Sequence, residues 1–287
     1  MTTKALVLGG GGVTGIAWEL GVIAGLADNG LDLTDADLIV GTSAGATVAV
    51  QITTGLLDEL VGAQLTVESQ EIAAEFDLNL IVEIFTLLSD QSASGDERRA
   101  RVGARALEAH TLAEPVRRAV IAARLPSHEW PAQPIVLTAV DAHTGELTLF
   151  DSSSGVSLVD AVAASCAVPG VWPPVSIGSC RYIDGGVRSM TNADQASGYG
   201  RVLILAPMAD TLARTLEHEA DKLRHSGSTV LVVASDDSAL ARMGDNPLDP
   251  SRRAPALKEG RRQGTAAAAA VKALWQGSEV PSASDPV

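Results

Sequence analysis

Three short stretches of this chain carry residue types that could perform acyl chemistry. The first is Gly41-Thr42-Ser43-Ala44-Gly45, preceded by Asp37-Leu38-Ile39-Val40 and followed by the uncharged run from Ala46 to Leu57. A buried strand, a G-x-S-x-G turn and a buried helix form the context in which a serine hydroxyl becomes a nucleophile. Gly41 and Gly45 allow a turn too sharp for side chains, and the free N–H groups of a helix N-terminus can stabilise a negative oxygen. A plainer reading makes Ser43 the N-cap of that helix. The second stretch is Gly9-Gly10-Gly11-Gly12-Val13-Thr14-Gly15, directly after an apolar strand from Lys4 to Leu8. The third is Asp184-Gly185-Gly186, after Arg181-Tyr182-Ile183. It places a short carboxylate at a strand end, where the alternative role is a local turn acceptor.

The glycine loop supports two chemistries. Gly10, Gly12 and Gly15 satisfy the G-x-G-x-x-G dinucleotide fingerprint, which also expects an acid at the end of the next strand to hold a ribose. That strand ends at Val40-Gly41-Thr42-Ser43, while Asp35 and Asp37 stand at its beginning. The other chemistry uses the N–H groups of Gly10, Gly11 and Gly12 as donors facing the serine. Adjacent parallel strands would bring both loops to one carboxyl edge of a sheet, and bare amides suit a developing oxyanion.

The elements that must position these groups alternate between strand and helix. Ile16 to Asn29 has helical spacing, so the first 57 residues read as strand, glycine loop, helix, strand, serine turn, helix, which implies a parallel sheet. Asp58 to Leu125 is helical and more polar, with an apolar concentration from Leu78 to Leu88 that is either a lipid-facing lid or helical core, and a loop over Ser89 to Asp96. Arg98, Arg99, Arg101, Arg105, Arg117 and Arg118 read as a solvated helix face. Pro134 to Asp141 and Glu146 to Asp151 form a predicted hairpin, and Ser157 to Cys166 a short helix. Pro169-Gly170 and Pro173-Pro174 mark a loop. Strands over Arg201 to Ala206 and Thr229 to Ala234 flank a helix from Thr211 to His225; a helix from Pro255 to Gln276 precedes a frayed tail. The organisation expected is one domain over 1–276, with 58–125 as a candidate lid or cap, and a flexible tail over 277–287.

Composition excludes several functions. A net charge of −14 repels a phosphate backbone, and 3% aromatic content leaves few platforms for stacked bases, so nucleic acid is not an expected partner. Cys166 and Cys180 make neither a disulfide framework nor a metal cluster and are expected as reduced thiols in the cytoplasm. No metal and no cofactor are expected. Leu38 to Leu57 is uncharged for 20 positions, but its threonines, Ser43, Gln51 and glycines fit strand, turn and helix better than a membrane span. No feature sets an oligomeric state.

The order of glycine loop, G-x-S-x-G and D-G-G, with Ala164-Ser165-Cys166-Ala167-Val168-Pro169-Gly170 and Pro173-Pro174 ahead of the aspartate, resembles the patatin-like phospholipase family over roughly Lys4 to Ala206. That family's glycine loop commonly carries a basic residue, where this chain has Val13-Thr14. The resemblance implies a three-layer α/β/α fold with a mainly parallel sheet and a Ser–Asp dyad acting on lipid or other carboxyl esters. The acidic net charge disfavours strong adsorption to anionic lipid but leaves room for transient membrane contact through a local patch. Carried over by position, Ser43 is the nucleophile and Asp184 its base. Gly10, Gly11 and Gly12 form the oxyanion hole with the N–H of Ala44, and Gly15, Gly41, Gly45, Gly185 and Gly186 shape the motifs. A serine hydroxyl needs such a base at neutral pH. A Ser43, Asp184 and His218 or His225 triad of the α/β-hydrolase type is the alternative. Both histidines fall in a charged helical run that includes Glu217, Glu219 and Asp221. The serine also follows only the second strand, which favours the dyad.

Overall fold

Alternation along the strands decides the layers. In the first strand, β1 (Lys4–Leu8), Leu6 and Leu8 enter one apolar core while Ala5 and Val7 enter another. The structure is a computed structural model describing residues 3–66, 71–72, 74, 78–208 and 215–277, the side chains of Leu78, Asn79, Ile81 and Thr215 excepted. After β1 come α1 (Gly12–Ala27), β2 (Leu38–Thr42), α2 (Ala44–Ile52), α3 (Leu57–Leu65), α4 (Leu78–Ser89), α5 (Gly95–Glu108) and α6 (Glu114–Arg124). Then follow β3 (Ile135–Asp141), β4 (Leu147–Phe150), α7 (Leu158–Ser165), β5 (Val175–Ile177) and β6 (Cys180–Asp184). The last described elements are β7 (Arg201–Ala206), α8 (Thr215–His225), β8 (Thr229–Ala234), α9 (Asp237–Met243) and α10 (Arg253–Gln276).

The sheet runs β5-β6-β3-β2-β1-β7-β8, with β4 paired to β3. Strands β3, β2, β1, β7 and β8 are mutually parallel, and β4, β5 and β6 join antiparallel. On one face α1 and α10 contribute Trp18, Leu20, Leu257 and Val271 to a core shared with Leu6, Ile39 and Leu203. On the other, Ala220 and Leu223 of α8 cover Ala5, Val7, Val40, Val202 and Ile204. This is the expected three-layer α/β/α fold with a mainly parallel sheet.

Helices α1 and α10 touch backbone to backbone. A Cβ on Gly21 would lie 2.2 Å from the carbonyl oxygen of Leu257, and one on Gly25 2.3 Å from that of Arg261. Reciprocally, a Cβ on Gly260 or Gly264 would meet the carbonyl oxygen of Trp18 or Val22 at 2.1 Å. No side chain fits between the helices at these points, so α1, which begins in the glycine loop, is held along two turns by α10.

Several boundaries differ from the sequence reading. Helix α1 starts at Gly12, inside the glycine loop, and not at Ile16. All nine residues of α2 are buried, as expected, but the helix stops at Ile52. There Thr53 and Thr54 return their hydroxyls to the carbonyls of Val50 and Gln51, and Gly55 turns with φ +74°. The predicted loop after Pro173-Pro174 contains β5, and α9 begins where Asp236 accepts from the N–H of Ala239 at 2.9 Å. In α4, Ile84, Leu87 and Leu88 pack against Val102, Val140 and Ile183, whereas Val82 is 64% and Phe85 45% exposed. The apolar run is thus helical core on one side and bare on the other. Residues 209–214, the start of the helix expected from Thr211, and the expected tail from Ser278 lie outside the described residues. No described helix is long and apolar enough to cross a membrane.

Candidate active site

Ser43 is the single residue between β2 and α2, and it takes φ +54°, ψ −111°. A non-glycine residue there costs about 1–3 kcal/mol and persists only where its surroundings over-determine it. The surroundings do so. Ser43 donates its N–H to Ser165 Oγ at 2.9 Å, and its carbonyl accepts from Cys166 Sγ at 3.1 Å and from the N–H of Ala46 at 3.0 Å. A Cβ on Gly45 would lie 2.1 Å from the carbonyl oxygen of Leu8, and one on Gly41 2.7 Å from the Cα of Ala46. Ser43 does stand at the N-cap position of α2, but its hydroxyl makes no capping bond to the helix. Cys166 and Cys180 are free thiols; burial pushes Cys166 up to about 11, which keeps it a neutral donor. Replacing Ser165 by alanine orphans the buried Ser43 N–H. A loss of about 1–3 kcal/mol in chemical denaturation is expected, with lower turnover in the folded variant.

The sheet register explains how residues so distant in sequence meet. Thr42 pairs with Thr138 and Asp184 with Ala139, so consecutive residues of β3 hold the end of β2 and the end of β6 together. Beneath them the buried Asn192 side-chain amide donates to Thr42 Oγ1 (3.1 Å), Thr138 Oγ1 (3.3 Å) and the carbonyls of Gly185 (3.2 Å) and Ser189 (2.7 Å). Asp184 is 4% exposed. Its Oδ1 accepts from the N–H of Gly186 at 2.7 Å, the local turn role foreseen for it, while Oδ2 completes no hydrogen bond among the described residues. Burial raises the Asp184 pKa to about 6, against the opposing pull of the nearby Ser43 hydroxyl and of the Gly186 amide. The structure therefore brings the hydroxyl of Ser43 and the carboxyl of Asp184 together.

The glycine loop borders the same point, since Leu8 pairs with Gly41. A Cβ on Gly10 would lie 3.5 Å from that of Ser43. One expectation is corrected here: the N–H of Gly10 donates to the carbonyl of Met190 at 2.7 Å and is already committed. Among the described residues the N–H groups of Gly11, Gly12 and Ala44 donate to no partner. Gly12 needs its φ of +61°, and its Cβ would lie 2.5 Å from the carbonyl oxygen of Pro247. That same carbonyl accepts from the N–H of Thr14 at 3.1 Å. Chain thus covers part of the helix terminus that a pyrophosphate would need. Asp35 lies at the far end of the sheet, against Lys4 Nζ at 2.5 Å and Trp275 Nε1 at 2.7 Å, and Asp37 accepts from the N–H of Lys4 at 2.7 Å. All five histidines are exposed, and none acts on Asp184.

The profile of the patatin-like phospholipase family matches residues 6–197, a stretch that contains the serine turn, the glycine loop and Asp184. The chain belongs to the patatin-like phospholipase family. Among solved structures it is similar to VipD from Legionella pneumophila, at 12% identity over 92% of this chain and 66% of that one, with a TM-score of 0.44. It is also similar to the type III effector ExoU, at 16% identity over 92% of this chain and 52% of that one, with a TM-score of 0.39. The structure of ExoU with SpcU from Pseudomonas aeruginosa gives 19% identity, the same coverages and a TM-score of 0.38. This patatin-like chain thus spans about two thirds of VipD and about half of ExoU.

Two charged residues of this patatin-like fold depart from the expected solvated helix faces. Arg117, on α6, is 5% exposed and stacks over the ring of Trp172 at 3.8 Å. It lines a small pocket together with Ser43, Gly12 and Ala44. Arg124, two turns further along the same face of α6, lines that pocket too and makes a two-pronged ion pair with Glu71 at 2.5 and 2.6 Å. Glu219 points inward from α8, accepting from Thr191 Oγ1 at 2.7 Å and the N–H of Ala193 at 3.0 Å. Next to the small pocket lies a cavity of about 420 Å³ lined by Val13, Ile16, Leu60, Val120 and Leu125, with Arg124 on the shared wall. Arg117, Trp172, Ser165 and Asn192 were not singled out for the site from sequence; only Ser165 had a signal, its place in the stretch before Pro169.

Proposed function

We propose that this chain hydrolyses carboxyl esters of lipids, as a phospholipase A type of acyl hydrolase, through an acyl-enzyme on Ser43. Ser43 Oγ attacks the ester carbonyl while Asp184 takes its proton. The tetrahedral oxyanion falls to the N–H groups of Gly11, Gly12 and Ala44, and the alcohol leaves with the proton from Asp184. Water then attacks the acyl-enzyme with Asp184 again as base, returning the acid and a free Ser43 hydroxyl. The cavity of about 420 Å³, which shares Val13, Ile16 and Arg124 with the small pocket of Ser43, is of a size for small-molecule ligands and takes the acyl chain in this reading.

The observation that carries the proposal is Ser43 held at positive φ beside a buried carboxyl whose pKa is about 6. A carboxyl with that pKa is mostly ionised at pH 7 yet basic enough to accept a proton. A fluorophosphonate probe should label the intact protein at Ser43, located by peptide mass mapping, with no label on Ser43→Ala. A folded protein that takes no label is a non-catalytic module of the same fold, and the hydrolase reading then falls.

A further inference from the structure

Arg117 has no described function in the dyad chemistry, yet it is the costliest kind of side chain to place where it stands. It is 5% exposed, and its Nε and Nη1 atoms are buried without a hydrogen-bond partner among the described residues. Its neighbour Arg124 is neutralised by Glu71, so the positive charge in the small pocket is carried by Arg117. A buried guanidinium without an ion pair is destabilising, and stacking on Trp172 recovers only part of that cost. Burial, with repulsion from Arg124, lowers its pKa to about 9, which leaves it cationic at neutral pH. Arg117 lines the small pocket with Ser43, Ala44 and Cys166, and Asp184 is not part of that lining.

We infer that Arg117 is a specificity-determining residue that holds an anionic oxygen group of the substrate, a phosphate or a carboxylate, beside the ester attacked by Ser43. The inference deepens the hydrolase reading and rests on it. A guanidinium suits both anions because its planar array of donors matches two oxygens at once. Among largely buried groups such a pair is stronger than at the surface. In a chain of net charge −14 it also supplies a local attraction that the overall field does not.

The test compares three short esters, all used as dissolved monomers: dihexanoylglycerol, dihexanoylphosphatidylglycerol and dihexanoylglycerol hemisuccinate. The unmodified protein should show a kcat/KM at least about tenfold higher for one or both charged esters than for the neutral one, and the larger value names the anion. In Arg117→Gln the charged-to-neutral ratio should fall about tenfold or more, carried by KM, and Arg117→Lys should restore part of it. Equal kcat/KM values in the unmodified protein, or an unchanged ratio in Arg117→Gln, overturn the inference. Because the first comparison uses no variant, it decides the matter even if Arg117→Gln does not fold. If none of the three esters is cleaved, the hydrolase reading fails separately. Calorimetric binding of the non-hydrolysable dihexyl-ether glycerol phosphate then tests Arg117: binding lost in Arg117→Gln and partly kept in Arg117→Lys supports its anion role, and equal binding in Arg117→Gln and the unmodified protein removes it.

Discussion

Ser43→Ala is expected to lower kcat for a soluble p-nitrophenyl ester by at least about 10⁴-fold, with the protein still folded. The hydroxyl is the bond-forming group of the proposed mechanism, and removal of a catalytic serine leaves only binding and oxyanion stabilisation. Stability should separate from activity in an informative way. Alanine has a Cβ and inherits the strain of φ +54°, so its melting temperature should stay close to that of the parent. Ser43→Gly removes the same hydroxyl and relieves the strain, and should gain about 1 kcal/mol in denaturant unfolding. Full activity in either variant would mean that the ester is attacked elsewhere.

Asp184→Asn should lower kcat/KM by about 10²–10⁴-fold, the usual worth of a general base. In the unmodified protein kcat/KM should rise with pH through about 6 and then level, because the carboxyl must be ionised to take the proton. The same group acts oppositely on stability. Its folded pKa lies above the unfolded value of 3.8, so its favourable contribution is complete below about pH 4 and is lost as pH rises through about 6. At pH 8 the asparagine variant, which keeps an acceptor for the Gly186 N–H, should be more stable than the parent by up to about 3 kcal/mol. A variant both less stable and fully active at pH 8 would remove Asp184 from the mechanism.

The two stretches of the proposed dyad were legible because each is punctuated locally. Gly41 and Gly45 frame Ser43 where side chains would strike Ala46 and Leu8, and Gly185-Gly186 follow Asp184 where the chain turns. The sheet was legible for a similar reason, since the unbroken apolar runs of β1 and β7 mark strands buried on both faces. Tertiary facts left weaker traces. Arg117 shares its helix and its residue type with the solvated Arg118, which pairs with Asp160 at 2.5 Å; only the position of Trp172 makes one a pocket residue and the other a surface one. The amide of Gly10 was assigned to the oxyanion because its neighbours are, and it is withdrawn by Met190, a residue with no motif of its own. Asn192 reaches four partners from a left-handed conformation that asparagine tolerates, a preference too common in turns to point to a site.

The interlocked glycines of α1 and α10 bear on where this protein can be cut. The family match ends at residue 197, but β1 lies between β2 and β7, and α1 meets α10 through bare backbone. A fragment stopped at that border would leave β1 with an open hydrogen-bonding edge and Trp18, Val22 and Leu26 facing solvent. Such an edge recruits other chains. For recombinant work or domain transplantation, the stretch recognisable by homology is therefore shorter than the piece able to stand alone, and the excess is what keeps the glycine loop in place.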